Sequence, residues 1–296
     1  MRRRNENRQT ALDIGMSHDL ITEHLGWLRR TTDSAATIRH RRDTLRRVER
    51  QLGHPLHEAT TEELDTWQAG LTVSKSAVGT YTSHVRAFFL WAYRAGRRSD
   101  NPAETLPIPK PKPRKPRPIP EDHLQLALRV ARGDVLVWFV LAGWCGLRAG
   151  EISRLSDDSV LDTETGLFLR VDGKGGKERI VPVPPPVAPF VLGAMRPGPW
   201  FRSPTGRPAW PDYVSRESSA LLHSLGLPYT LHQLRHRFGT QHYRLCKDIR
   251  QTQELMGHSS PATTALYTLV SSPAIVKSMN RLGKTLPKLA PDTRAA

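Results

Sequence analysis

The sequence predicts a mainly α protein with a small β-sheet, an α+β chain in two domains. Three observations carry this. Apolar residues recur at helical spacing through the first hundred positions. A proline-rich cationic stretch then interrupts the chain. After it come one nearly all-apolar segment and two short strands around a glycine-rich turn. At 296 residues and 38% hydrophobic content, each half is long enough to bury its own core.

Four helices are expected ahead of the interruption. Leu20, Ile21, Leu25 and Leu28 stripe the first. The second starts near Ser34, carries Ile38, Leu45, Val48 and Leu52, and stops at Gly53. Thr60 and Glu63 have capping-box spacing and open a third with Leu64, Trp67 and Leu71 on one face. Val78, Tyr81, Val85, Phe88 and Ala92 stripe the fourth, which Gly96 ends. At that spacing the aromatics are core rather than base-stacking platforms. Arg41, Arg42, Arg46, Arg86 and Arg94 then fall on the opposite faces, either as candidate contacts to an anionic partner or as an ordinary solvated charged surface.

LPIPKPKPRKPRPIP, residues 106–120, holds seven prolines, five Lys or Arg and no acid, so it is neither a helix nor a central strand. It reads as an extended cationic linker, either a passive spacer or a strap along a phosphate backbone through Lys110, Lys112, Arg114, Lys115 and Arg117. Beyond it, residues 134–144 suit a buried helix. LFLRV and RIVPV flank DGKGGKE as a hairpin. Further helices are expected over residues 211–225, 231–243, 247–256 and 261–268.

Composition narrows the function. Cys145 and Cys246 are the only cysteines, which argues against a disulfide framework and suits a reducing compartment. No stretch of 18 apolar residues occurs, so membrane spanning is not expected. The formal charge of +16 comes from 44 Lys and Arg against 28 Asp and Glu. Residues 1–120 contribute 22 − 13 = +9 and the remainder 22 − 15 = +7. Charge spread over both halves fits a molecule that surrounds a polyanion such as nucleic acid.

Four motifs then occur in order: CGLRAGEISRL at 145–155, VDGKGGKERIVPV at 171–183, LHQLRHRFGT at 231–240 and ELMGHSSPATTALYT at 254–268. His232 and Arg235 at i and i+3 present an imidazole and a fixed charge on one helical face, a pair suited to a phosphate. Arg148 follows Gly146 at a helix start, where free amides also favour an anion. Two arginines around one phosphate stabilise developing charge without a metal. Lys174, in the flexible 173–176 turn, can reach a leaving oxygen, and Tyr267 supplies a nucleophile once a cationic field assists a phenol whose ordinary pKa is about 10.

Blander readings exist for each. Arg148 and Glu151 at i and i+3 form a simple helix ion pair, with Glu151 as support. His232 and His236 at i and i+4 are a possible zinc pair, although Gln233 stands where a zincin places Glu. His258 beside Gly257 is an ordinary helix C-terminal histidine but for its spacing to Tyr267. Tyr243 is the second-choice nucleophile and Lys177 the rival lysine. Trp144 and Cys145 read as core.

Together the four motifs resemble the catalytic domain of tyrosine recombinases, the family of phage integrases and Xer-type recombinases, over about residues 120–270. The helical N-terminal region is similar to that family's SAM-like core-binding domain. The resemblance implies domains at 17–105 (core-binding) and 121–270 (catalytic), with a short basic arm at 1–16, the linker at 106–120 and a tail at 271–296. It makes Arg148 and Arg235 the phosphate-binding arginines and Lys174, at the GKG position, the lysine that protonates the leaving 5′-hydroxyl. His232 becomes an acid/base, His258 a phosphate hydrogen-bond donor and Tyr267 the nucleophile that forms a 3′-phosphotyrosyl link. It further implies double-stranded recombination sites as partners, a tetramer on DNA, no cofactor, no metal, and a cytoplasmic, nucleoid-associated protein. The tail stripe Ile275, Val276, Met279 and Leu282 is expected to dock on a neighbouring catalytic domain rather than on its own. No arm-site domain is expected ahead of the first helix. Alternatives in reach are a type IB topoisomerase and a catalytically inactive DNA-binding protein.

Overall fold

The computed structural model describes residues 19–32, 34–110, 117–173, 178–257 and 273–289. The chain divides into two compact units, Met1–Arg114 and Lys115–Ala296.

The first unit holds α1 (Leu20–Leu28), α2 (Ala35–Leu52), a 3₁₀ turn (Leu56–Glu58), α3 (Thr61–Ala69) and α4 (Lys75–Arg94). Side-chain oxygens start three of these helices. The Ser34 hydroxyl accepts from Thr37 N–H at 3.2 Å, Thr60 and Glu63 form the expected capping box, and Ser74 accepts from Ala77 N–H at 3.3 Å. Such caps are each worth about 1 kcal/mol. Gly53, at φ +82°, closes α2. α1, α2 and α4 pack on one another around Leu25, Leu45, Val48, Val85, Phe88 and Phe89. His24 is also wholly buried, its ring among Trp27, Phe88 and Trp91.

The 106–120 segment is less a spacer than its composition suggests. Leu106 is fully buried in the first unit, and its carbonyl and that of Pro107 accept from Arg86 and Gln68. Ile119 is buried in the core of the second unit. Proline cannot join a ladder, but the apolar residues between prolines still seek a core. Residues 111–116 lie outside the described set.

The second unit is built round α6 (Gly133–Trp144), the all-apolar segment, in which Trp138, Phe139, Val140, Leu141 and Trp144 are buried. Each such side chain contributes roughly 1.5–3 kcal/mol through removal from water. Around it lie α7 (Ala149–Ile152), α8 (Ala188–Ala194), α9 (Pro211–Ser224), α10 (Leu231–Cys246) and α12 (Pro273–Gly283). α5 (Glu121–Val130) precedes it and α11 (Ile249–Leu255) follows α10. The hairpin is β2 (Gly166–Asp172) paired antiparallel with β3 (Glu178–Pro182). β1 (Val160–Thr163) adds a third antiparallel strand, its half-exposed VLDT lacking a strand-like alternation. The helix expected at 261–268 lies outside the described residues.

Ile275, Met279 and Leu282 of α12 are buried against α6, α10 and β3 of their own chain. Gly283 permits this closeness, since a Cβ there would stand 2.4 Å from Pro184. Ser278 adds a polar tie, its hydroxyl 2.9 Å from Nε2 of the buried His242.

Candidate active site

The site begins where α6 ends. The backbone turns through Gly146 at φ +68°, and a Cβ there would fall 2.5 Å from the Phe238 ring of α10, so only glycine fits both the turn and the close helix. Two residues on, Arg148 precedes α7. Its backbone N–H donates to Glu151 Oε2 at 2.8 Å, its Nη1 to Glu151 Oε1 at 2.6 Å and its Nη2 to the Gly257 carbonyl at 3.2 Å. The helix-start amide that the sequence assigned to an incoming anion is thus already answered by the protein's own carboxylate.

Glu151 is the hub of the site. It is 3% exposed and receives a second guanidinium, Arg179 of β3, which donates from Nη1 and Nη2 to its two oxygens at 2.8 Å each. Arg235 of α10, 2% exposed, brings Nη1 within 3.7 Å of the same carboxylate. Burial alone would raise the Glu151 pKa, but the Arg179 hydrogen bonds and charge, the Arg148 N–H and the Arg235 charge bring it down to about 2. Burial, with the charges of Arg148 and Arg179 beside it, lowers the Arg235 pKa to about 9 although Glu151 opposes this.

The three arginines also read one stretch of backbone. Arg179 Nε donates to the Leu255 carbonyl at 2.8 Å, Arg235 Nη2 to the Met256 carbonyl and Arg148 Nη2 to that of Gly257. These are consecutive carbonyls at the end of α11, where a helix leaves its acceptors unpaired and the macrodipole is negative. Arg235 Nη1 donates as well to the Gly146 carbonyl, joining α10 to the α6–α7 turn. Arg148 and Arg235, 87 positions apart, are therefore brought together. The Arg148 side chain remains 36% exposed and gives the cluster its open side.

The His232–Arg235 pair differs from expectation. Spacing of i and i+3 puts both on one side of α10, yet His232 is exposed whereas the Arg235 guanidinium turns inward. His232 lies edge-on to the half-buried His236 with ring centroids 4.3 Å apart. Burial and the Arg235 charge lower the His236 pKa. Arg237, two residues on, is a core cation that pairs with Glu121 at 3.2 Å and lies 4.3 Å over the Trp144 ring. Lys174, Lys177, His258 and Tyr267 lie outside the described residues. Gly257, the residue before His258, is the last of the three arginine-held positions.

Residues 129–272 match the family model described as the phage integrase family. The tyrosine recombinase XerC of Mycobacterium sp. (strain KMS) is 32% identical over 259 residues, 75% of this chain and 82% of the relative. The chain belongs to the phage integrase family of tyrosine recombinases. XerC of Shewanella amazonensis is 29% identical over 281 residues, covering 84% of this chain and 92% of the relative. The match to XerC of Brucella suis biovar 1 is 36% identical but spans only half of either chain, and that to Rhodospirillum centenum spans 61% of the relative. Among solved structures, an integrase from mycobacterium phage Brujita superposes with a TM-score of 0.51 at 28% identity, covering 95% of this chain and 96% of that one. The fold is shared with the lambda integrase of a tetramer bound to a Holliday junction, at a TM-score of 0.68 and 17% identity, over 89% of each chain.

The DNA-contact candidates of this tyrosine recombinase separate into two groups. Arg42, Arg94, Lys110 and Arg117 are exposed. Arg41, Arg46 and Arg86 are not on an open face: Arg41 donates to the His84 carbonyl, Arg46 pairs with Asp19 and Glu49, and Arg86 holds the Leu106 carbonyl. Arginines on the flank of a helical stripe are long enough to reach back to neighbouring carbonyls and acids, which helical phase alone does not reveal. Lys112, Arg114 and Lys115 lie outside the described residues. Arg179 was missed by sequence reasoning. Its only signal was a charged residue opening the otherwise apolar RIVPV strand.

Proposed function

We propose that this recombinase cuts and rejoins double-stranded DNA at specific sites through a 3′-phosphotyrosyl intermediate carried on Tyr267. Tyr267 Oη attacks the phosphorus, and the bond to the 5′ oxygen breaks. Lys174 delivers the proton that this oxygen takes up, and His232 receives the phenolic proton. Arg148 and Arg235 hold the non-bridging oxygens, with His258 as a further donor. A 5′-hydroxyl of a partner duplex then attacks the protein ester and releases the tyrosine. The phosphodiester energy is retained throughout, so no nucleotide is consumed. A tetramer on two recombination sites and a cytoplasmic location belong to the same reading.

The observation that supports it most is the convergence of Arg148 and Arg235 on Glu151 and the last turn of α11, immediately before the segment that bears His258 and Tyr267. Guanidiniums so fixed are arranged in advance for charge that develops on the non-bridging oxygens. The reading is tested with a nicked suicide substrate on a denaturing gel. The parent chain is expected to form a covalent adduct, and Tyr267→Phe to form none while still shifting duplex DNA. An adduct undiminished in Tyr267→Phe removes Tyr267 from the role.

A further inference from the structure

We propose that Arg179 is a positioning residue for the recombination reaction: it neutralises Glu151, so that Arg148 and Arg235 keep their charge for the scissile phosphate. This rests on the recombinase reading above. Arg179 is committed within the protein. Its side chain is 6% exposed and all three of its nitrogens are engaged, Nε on the Leu255 carbonyl and Nη1 and Nη2 on the two Glu151 oxygens. Its effect therefore passes through Glu151.

The electrostatics define that effect. Three guanidiniums and one carboxylate sum to +3 − 1 = +2 around the site. The bidentate partner of the carboxylate is Arg179, whereas Arg148 meets a single Glu151 oxygen with one side-chain nitrogen and Arg235 stands at 3.7 Å. A planar two-point pair holds the carboxylate in one orientation, and in a buried site it takes up most of its charge. Without Arg179, the buried carboxylate draws Arg148 and Arg235 to itself and the sum falls to +1. Gly257 is shaped to this seat: it sits at φ +58°, and a Cβ there would be 3.0 Å from Arg179 Nη1.

The test is a rescue by charge. Single-turnover adduct formation on the nicked substrate is measured for the parent, Arg179→Met and the double variant Arg179→Met with Glu151→Gln, alongside duplex affinity and thermal melting. Arg179→Met is expected to cleave about a hundredfold more slowly, the size of effect seen when preorganised charge is lost. Its DNA affinity should stay within about threefold, because no phosphate contact is removed. The double variant returns the sum to +2 and is expected to regain about tenfold or more. A double variant no faster than Arg179→Met, at a melting temperature that shows both folded, overturns the proposal, because the uncompensated Glu151 charge is then not what slows cleavage. Should Arg179→Met fail to fold, Arg179→Lys carries the test. It keeps the cation while losing the two-point pairing and should still cleave within about tenfold of the parent, and a folded Arg179→Lys slowed more than that overturns the proposal. A parent chain that forms no adduct refutes the recombinase reading itself, whereas a parent adduct without rescue refutes only the role of Arg179.

Discussion

Glu151→Gln should cost the second unit about 3–5 kcal/mol at neutral pH. The variant keeps the side-chain volume but leaves Arg179 and Arg235, 5% and 2% exposed, without their buried counter-charge, and breaking a buried pair from one side typically costs that much. The titration of Glu151 leads to a similar size. Its pKa falls from 4.5 to about 2 on folding, and about 1.4 kcal/mol per unit makes this roughly 3 kcal/mol. A group whose folded pKa is depressed stabilises above its unfolded pKa and loses that contribution as pH falls through the folded value. The gap between parent and variant should therefore be full above about pH 4.5 and close toward pH 2. Urea unfolding at a series of pH values reads both the size and the slope. A neutral-pH gap below about 1 kcal/mol, or one that does not narrow below pH 4.5, refutes the account of Glu151 as the charged hub.

Two further outcomes follow from the packing. Gly146→Ala forces a Cβ onto the Phe238 ring at a left-handed φ, and should cost about 2–5 kcal/mol by strain and overpacking. Because the Gly146 carbonyl also seats Arg235, adduct formation should fall even at temperatures where calorimetry shows the chain folded, and unchanged cleavage would separate that turn from the site. In the first unit, burial and then the Arg41 and His84 charges lower the His24 pKa from 6.5 to about 4. The unfolded chain thus binds the proton first, so the first unit should lose stability as pH falls from about 6.5 to about 4, and His24→Leu should flatten that slope in hydrogen exchange across α1 and α4. An unchanged slope would mean that the ring is protonated without opening its cage.

Most helices were legible in the sequence because their signals are local. Ser34 with Gly53, and Thr60 with Glu63, mark ends that the structure realises as caps, and the 134–144 run forms the helix at the centre of its core. β1, α5 and α8 were not legible. Each is ten residues or fewer and exists because neighbours cover it, β1 through its pairing with β2 and α8 through α6. The seat of α12 was hidden likewise, since an apolar stripe states that a face will be covered but not by which chain.

The sequence by itself determined the family, through four motifs whose residue types and order point to phosphoryl transfer on DNA. It also marked Arg148 and Arg235 as candidates to hold one phosphate. Only the tertiary structure decided that these cations are held by a shared buried carboxylate and by three successive carbonyls, and that Arg179 completes the set. The reason is physical: a helix end and a charge pair acquire their energy from what lies within a few ångströms in space. Residues 148 just before α7, 151 of α7, 179 of β3, 235 of α10 and 255–257 at the end of α11 become neighbours only after these elements have packed.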